Sequence, residues 1–247
     1  MTRILGLDLE SNGLSTATDA ITELGVCLWD VEQKKPLKIL NELINQEGVV
    51  ISKEITELTG ITKELLEEFG YSPVVVFDML EALVKRHKPE YIIAHNAENF
   101  DKPMLFANMD RIDRNLWPEF RKIPWLDSRT DLPFEKEPTS RSLNHLAMEH
   151  GYINFFKHRA ITDVLTMLKL VGMYDFTKVV EMSKIPWITV RALVDYENRE
   201  LAKAQRFSWE KIGDKTYPKM WVKKIKQNTL EREVEKTEGK FKIVQIE

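Results

Sequence analysis

Two hydrophobic periods run through the chain, one typical of β-strands and the other of α-helices. Up to residue 173, short apolar or alternating segments predict strands, and apolar residues repeated every three or four positions predict helices. The first three strands are separated by short polar segments, which indicates an antiparallel meander. The predicted strands are residues 4–10, 18–30, 37–44, 91–95 and 125–127, and the predicted helices are residues 52–58, 63–69, 73–87, 102–109, 142–150 and 158–173.

A second, smaller pattern follows a boundary at residues 175–186. Its apolar positions predict a β-α-β-β-α-β module with a hairpin that turns at Gly213-Asp214. We therefore divide the chain into a domain of residues 1–175 and a module of residues 186–247. The module's predicted strands are residues 187–196, 207–212, 219–225 and 241–246, and its predicted helices are residues 198–206 and 229–237.

Composition narrows the class of protein. The 247 residues are 43% hydrophobic and 30% charged, which is typical of a folded globular protein and not of a disordered chain. The single cysteine, Cys27, excludes an intrachain disulfide and fits a reducing compartment, where we expect it to be a small buried residue. No apolar run reaches the length of a membrane span and no secretory signal pattern is visible, so a cytoplasmic protein without a membrane partner is expected.

The formal net charge of −3 conceals two parts of opposite charge. Residues 176–247 carry 16 Lys and Arg against 11 Asp and Glu, a net charge of +5, so the preceding residues carry −8. The acidic part is suited to hold metal ions and the basic part to attract phosphate, although two ordinary solvated surfaces are the alternative. Lys223 and Lys224 are the candidates for holding a nucleic-acid strand, whereas Trp209 and Trp221 are assigned to the core of the module.

The first predicted strand ends in two carboxylates. Because side chains at positions i and i+2 of a strand point to the same face, Asp8 and Glu10 are expected side by side. They repel each other unless a proton or a cation neutralises them, and an acidic solvent face of an edge strand is the alternative interpretation. Oxygen ligands suit Mg²⁺ or Mn²⁺. The polar turn at residues 11–13 places the pair at the strand's carboxyl end, where open α/β sheets usually hold their sites.

Two further carboxylates are candidates for the same site. Asp101 begins the helix after the strand at residues 91–95, where an N-cap is the alternative role, and Asp163 lies in the helix predicted at residues 158–173. Four carboxylates at the ends of separate elements are suited to hold two divalent ions about 4 Å apart, an arrangement that cleaves phosphodiesters. His158, with an ordinary pKa near neutrality, is the candidate general base that takes a proton from the attacking water.

Other polar residues are expected to serve structure. His95, at a strand end, is interpreted as a structural hydrogen-bonding residue. Asp127 and Asp131 lie in a segment interpreted as loop, residues 111–138, and are assigned to turns, with substrate contact as the alternative.

Three segments, in this order, resemble the three exonuclease motifs of the DEDDh family. They are residues 8–14 (DLE followed by NGL), residues 95–101 (HNAENFD) and residues 158–163 (HRAITD). The family includes proofreading subunits of DNA polymerase III, exonuclease X and TREX-type exonucleases. The second motif spaces its Asn and Asp one residue further apart than many members do, as TREX-type enzymes also do, so its loop contacts are the least transferable part.

The resemblance implies a role for each site residue. Asp8 would bridge two ions, either Mg²⁺ or Mn²⁺, Glu10 and Asp163 would complete the site of the nucleophilic water, and Asp101 would serve the second ion. His158 would be the general base. By the same comparison, Leu14 would pack against the terminal base and Asn96 would lie near the substrate backbone.

The resemblance also implies the fold and the activity. The fold would be α/β, with a ribonuclease-H-like mixed five-stranded sheet flanked by helices and a small C-terminal α+β module. The activity would be 3′→5′ hydrolysis of DNA, preferably single strands or 3′ ends, to nucleoside 5′-monophosphates. An exoribonuclease or oligoribonuclease acting on RNA is the alternative within the class. A non-catalytic polymerase-accessory or nucleic-acid-binding protein is the alternative outside it, and no polymerase partner is indicated.

Overall fold

The computed structural model describes residues 1–210 and 219–246, and its internal contacts divide the chain into Met1–Ser183 and Lys184–Glu247. The turn predicted at Gly213-Asp214 lies outside the described residues. Each unit contains a sheet of its own.

A mixed five-stranded sheet forms the centre of the first unit, with the strand order β3-β2-β1-β4-β5. The pairs β1–β2 and β2–β3 are antiparallel, which confirms the predicted meander, and the pairs β1–β4 and β4–β5 are parallel. The strand β3 lies at one edge of the sheet. The strands are β1 Arg3–Ser11, β2 Ile21–Asp30, β3 Lys35–Leu43, β4 Tyr91–Ala94 and β5 Trp125–Asp127.

Eight helices flank this sheet in the described part of the first unit. Local signals fix several of their ends: the hydroxyls of Ser52 and Thr62 accept N-cap hydrogen bonds, and Pro73 occupies a first turn. The helices are α1 Lys53–Thr59, α2 Lys63–Phe69, α3 Pro73–His87, α4 Asp101–Asp113, α5 Pro118–Arg121, α6 Leu143–Glu149, α7 Ala160–Val171 and α8 Phe176–Ser183.

Two of these helices correct the sequence prediction. The four residues of α5 lie in a segment predicted to be loop, and α8 lies within the predicted boundary at residues 175–186. A one-turn helix is too short to show a hydrophobic period, and α8 buries a single side chain, Val179.

Hydrophobic cores cover both faces of the sheet. One face packs against α3 and α4, and the other, which contains the buried thiol of Cys27 as expected, packs against α7. Two glycines let α7 approach the sheet closely. A Cβ at Gly25 would lie 2.6 Å from the backbone of Ala160 and Ile161, and a Cβ at Gly6 would lie 2.7 Å from the side chain of Leu168. The N-terminus of α7 is therefore fixed against β2.

The second unit contains an antiparallel four-stranded sheet in the order β7-β8-β6-β9. Trp221 packs against its small core, as predicted. Trp209 is 50% exposed, so its assignment to the core is wrong; it contacts Trp221 from the outer strand β7, with ring centroids 5.3 Å apart and ring planes tilted by 51°. The elements are β6 Trp187–Leu193, α9 Arg199–Ala204, β7 Ser208–Glu210, β8 Met220–Lys226, a 3-10 turn at Gln227–Thr229, α10 Leu230–Thr237 and β9 Lys242–Gln245.

Candidate active site

Asp8 and Glu10 lie at the carboxyl end of β1, as the strand pattern predicts. Asp8 pairs with Gly25 of β2 and Glu10 pairs with Glu23. The register shifts directly after Glu10, and such bulges occur preferentially at sheet edges and beside functional sites. Asp8 and Glu10 are therefore at the point where β1 leaves the sheet.

The loop after β1 is fixed by reciprocal hydrogen bonds. The Asn12 amide donates to the Ala20 carbonyl at 3.1 Å, and the Ala20 amide donates to Oδ1 of Asn12 at 2.7 Å. Leu14, in this loop, is highly exposed. Its side chain is thus available to a ligand, as its expected contact with a terminal base requires.

Asp101 is buried at the first position of α4. Its pKa is raised well above the usual value, first by burial and then by the charge of Asp127, while backbone hydrogen bonds from Asp101 and Leu9 oppose the shift. Its Oδ1 atom is buried and has no hydrogen-bond partner in the described part of the chain. A buried carboxylate oxygen without a hydrogen-bond donor lowers the stability of the fold, and a bound cation would offset this cost.

His158 and Asp163 are held together directly before and within the first turn of α7. The His158 amide donates to Oδ2 of Asp163 at 2.9 Å, and the Asn154 side chain donates to Oδ1 of Asp163. His158 has a left-handed backbone, with φ of 64°. The helix begins at Ala160, so the prediction that it begins at residue 158 is wrong, because His158 turns back toward the carboxylate that follows it.

Burial and mutual repulsion dominate the electrostatics of the cluster. Burial raises the pKa of Asp8 well above its usual value, and the charges of Asp101, Asp163 and Glu10 raise it further. Burial, together with the charges of Asp163 and Glu23, raises the pKa of Glu10 to about 8. The pKa of Asp163 is also raised by burial, against hydrogen bonds to its ionised form. The four carboxylates therefore lie close enough to disfavour one another's ionised forms.

The donor set fits divalent cations. The nearest ligand atoms of Glu10, His158 and Asp163 all lie within 4.8 Å of one another. Carboxylate oxygens are the ligands that hard cations such as Mg²⁺ and Mn²⁺ prefer. Positive charge at this point would lower the repulsion that raises the carboxylate pKa values.

Glu23 and Arg159 form an ion pair that the sequence interpretation did not single out as functional. The fully buried Glu23 carboxylate accepts hydrogen bonds from Nη2 of Arg159 at 2.8 Å and from the Ala160 amide at 3.0 Å. The pair therefore joins β2 to the first residues of α7 and fixes the segment that carries His158. An available signal was the glutamate itself, which lies in a largely apolar strand opposite Glu10.

The second motif is supported by a polar network. The Asn96 amide, in a residue with φ of 78°, donates to Oδ1 of Asp127 at 2.9 Å. Burial raises the pKa of Asp127 to about 6. His95 contacts the Ser128 hydroxyl and the Arg141 carbonyl, both at 2.9 Å, which confirms its structural role. The network fixes the loop that leads to Asp101.

The two candidate lysines lie in the second unit and differ in their surroundings. Nζ of Lys223 is 2.6 Å from Oε2 of Glu233 and contacts the Gln205 carbonyl. Lys224, the next residue of β8, is exposed. Unlike the carboxylates of the first unit, the two lysines do not form one cluster: Lys223 is paired with Glu233, and Lys224 is exposed to solvent.

A model of the exonuclease family, RNase_T, matches residues 5–171. Two similar curated proteins are PolC-type DNA polymerases III from Thermotoga maritima, 28% identical over 186 residues, and Thermotoga petrophila, 28% identical over 183 residues. The matches cover 72% and 74% of this chain but only 13% and 12% of the polymerases, so the chain spans about an eighth of their length.

Similar solved structures support the fold. Exonuclease I of E. coli in complex with a dA16 oligonucleotide aligns with a TM-score of 0.64 at 16% identity, over 96% of this chain and 67% of that chain. The nuclease domain of 3′hExo, a DEDDh family member bound to rAMP, aligns with a TM-score of 0.58 at 17% identity, over 69% of this chain and 90% of that chain. At these identities the likeness concerns the architecture, and it confirms the expected mixed sheet flanked by helices.

Proposed function

The chain belongs to the exonuclease family, whose model spans residues 5–171, and on this premise we propose that it is a metal-dependent 3′→5′ exonuclease of DNA. The observation that carries the proposal is the convergence of four carboxylates from the three elements β1, α4 and α7, with the nearest ligand atoms of Glu10, His158 and Asp163 within 4.8 Å. The products would be nucleoside 5′-monophosphates.

We assign a role to each residue of the candidate active site from its position in the structure. Asp8, Glu10, Asp101 and Asp163 would hold two divalent ions, Mg²⁺ or Mn²⁺. When bound, these ions supply positive charge that stabilises the attacking and leaving oxygens of the displacement. His158 takes the proton of the attacking water, and its hydrogen-bonded backbone keeps the imidazole beside Asp163. Arg159 and Glu23 hold this arrangement against β2.

DNA is the proposed substrate, with single strands or 3′ ends preferred. The curated relatives are DNA polymerases, and exonuclease I is described with a DNA oligonucleotide, which supports DNA. The second candidate is an exoribonuclease, which the similarity to 3′hExo bound to rAMP favours.

The second unit is proposed to bind the nucleic-acid strand. Residues 176–247, which include this module, carry a net charge of +5, and Lys224 is exposed on its sheet. Leu14 and Asn96 are proposed to contact the terminal base and the backbone of the substrate. Within residues 1–210 and 219–246, none of the helices has the length and hydrophobicity that a membrane span needs.

A nuclease assay tests the proposal. Single-stranded DNA, duplex DNA and RNA of one sequence, each labelled at the 5′ end, are incubated with the protein and Mn²⁺. We expect a ladder that shortens from the 3′ end, fastest for single-stranded DNA, and no ladder from the Asp8→Ala protein. Equal activity of wild type and Asp8→Ala would exclude this function and favour a non-catalytic binding protein. Faster digestion of RNA would select the exoribonuclease.

A further inference from the structure

Two phenylalanines are exposed beside the candidate active site. Phe155 is 82% exposed and Phe156 is 72% exposed, and they precede His158 by three and two residues. Aromatic rings of this size are normally buried, and adjacent exposed rings mark a surface that contacts something else. Together with Lys157, which is also exposed, Phe155 and Phe156 form a surface that we call the FFK rim.

Within the FFK rim, the backbone of Phe156 is hydrogen-bonded through Asn154 to Asp163, one of the proposed metal ligands. The Phe156 amide donates to Oδ1 of Asn154 at 3.2 Å, and the Asn154 side chain donates in turn to Asp163. The Thr162 hydroxyl, one residue before Asp163, donates to the Phe156 carbonyl. These bonds hold the main chain that carries the rings at the edge of the carboxylate cluster.

The chemistry of the rim is suited to one kind of occupant. Aromatic faces next to a cation are the usual means by which proteins hold single-stranded nucleic acid, since bases stack on the rings and the cation attracts phosphate. Protein and lipid partners also take exposed aromatic residues, but neither explains why the backbone of Phe156 is linked through Asn154 to Asp163. The terminal nucleotides of a strand that enters the carboxylate cluster would pass beside the rim.

We propose that Phe155 and Phe156 form a stacking platform for the bases of the last few nucleotides of a single strand, with Lys157 contacting the backbone phosphate. The proposal rests on the proposed function, because the strand must reach the carboxylates for the platform to hold it. A platform of this kind takes unpaired bases of any sequence, so duplex ends must separate before they bind.

The experiment compares the double variant Phe155→Ala/Phe156→Ala with wild type on three phosphodiesters. They are a single-stranded DNA, the same strand with abasic sites at its last few 3′ positions, and a short oligomer made only of tetrahydrofuran abasic units, a base-free ester. We expect KM for the normal strand to rise on the order of tenfold to a hundredfold with kcat little changed, because stacking contributes uniform binding. The abasic strand and the base-free ester should be hydrolysed alike by both proteins.

Two further variants separate stacking from other effects. Tyrosine at both positions keeps the aromatic faces and should restore the wild-type KM. Phe69→Ala removes an exposed phenylalanine from the end of α2 and should change nothing. A double alanine variant with unchanged KM on the normal strand, or with an equal defect on the base-free ester, would overturn the platform.

The outcome also distinguishes the platform from the proposed function. If wild type cleaves strands and the double variant cleaves them equally well, only the platform is wrong. If wild type cleaves none of the three phosphodiesters, the proposed function fails. Fluorescence anisotropy of a labelled single strand in Ca²⁺ then decides the platform: equal binding by wild type and the double variant would reject it.

Discussion

At the scale of single residues, His158 combines an uncommon backbone conformation with the proposed role of general base. A left-handed φ of 64° is uncommon for a residue other than glycine, and here it lets the amide reach Asp163 while the ring stays at the cluster. Backbone strain that surrounding bonds hold in place is typical of functional sites.

The His158→Ala variant tests this role. We expect kcat to fall on the order of 10²–10⁴-fold, the usual effect of losing a general base, while Mn²⁺ still raises the melting temperature. His158→Asn is the matched control, because asparagine tolerates a left-handed backbone but does not act as a base at neutral pH. Loss of the Mn²⁺-dependent melting shift in both variants would identify His158 as a metal ligand instead.

Glu23 shows how a residue that is remote from the reacting atoms supports the site. Glu23→Ala leaves the Arg159 guanidinium and the Ala160 amide without their partner, so the free energy of unfolding should fall. Because Arg159 is 40% exposed and water reaches it, we expect the lower end of the usual range, about 2–3 kcal/mol. Urea denaturation measures the loss. Glu23→Gln keeps an acceptor oxygen and should lose less; an equal loss would show that the charge, not the geometry, matters.

The raised pKa of Glu10, about 8 against a usual value of 4.5, predicts how stability depends on pH. Between these values the folded protein retains a proton that the unfolded chain releases, so the free energy of unfolding of the metal-free protein should fall as pH rises from about 4.5 to about 8. Urea denaturation in EDTA across this range checks the slope, and Glu10→Gln should flatten it. At pH 8, Mn²⁺ at a hundred times its dissociation constant should raise the free energy of unfolding by about 2.7 kcal/mol. Stability that rises with pH in EDTA would contradict the repulsion described for the cluster.

At the scale of elements, the contact between β2 and α7 positions the two site residues of the α7 segment, His158 and Asp163. A Cβ at Gly25 would meet backbone atoms of Ala160 and Ile161 at 2.6 Å, and these atoms cannot rotate away. We expect Gly25→Ala to cost about 1–3 kcal/mol of stability and to weaken Mn²⁺ binding, because α7 must move outward with Asp163. Gly6→Ala is the control, since it meets the rotatable side chain of Leu168. Calorimetry with and without Mn²⁺ compares the two; equal Mn²⁺ affinity in Gly25→Ala and wild type would separate the contact from the site.

The elements also show what sequence alone could predict. The bounds of α2 and α3 follow from local signals, the Thr62 cap and Pro73, and the structure has both helices as predicted. The start of α7 was not predicted correctly, because the apolar repeat does not fix where the helix begins and the bond from the His158 amide to the Asp163 side chain turns His158 out of the helix. The partner of Glu23 is likewise set by a contact between residues 136 positions apart, which no local pattern contains.

At the scale of the whole molecule, the basic second unit makes a prediction about salt. Lys223 is paired with Glu233 whereas Lys224 is exposed, so the two neighbouring lysines should behave differently. Lys224→Ala should reduce the slope of log affinity against log salt for a long single strand by roughly one. Lys223→Ala should lower the thermal stability of the second unit instead. Fluorescence anisotropy at several salt concentrations checks the first change; an unchanged slope in Lys224→Ala would remove this lysine from the interface.

The outer strand of the first sheet has a consequence for behaviour at high concentration. A second chain can add its own strand to an unpaired strand edge. In β3, Pro36 lacks the backbone N–H that such pairing needs, and Lys35 and Lys38 are exposed and charged. The pairing register also shifts between Leu28 and Trp29, opposite this end of β3. At the opposite margin, β5 has only three residues. Both margins of the sheet therefore discourage edge-to-edge association, which is a common route to insoluble aggregates.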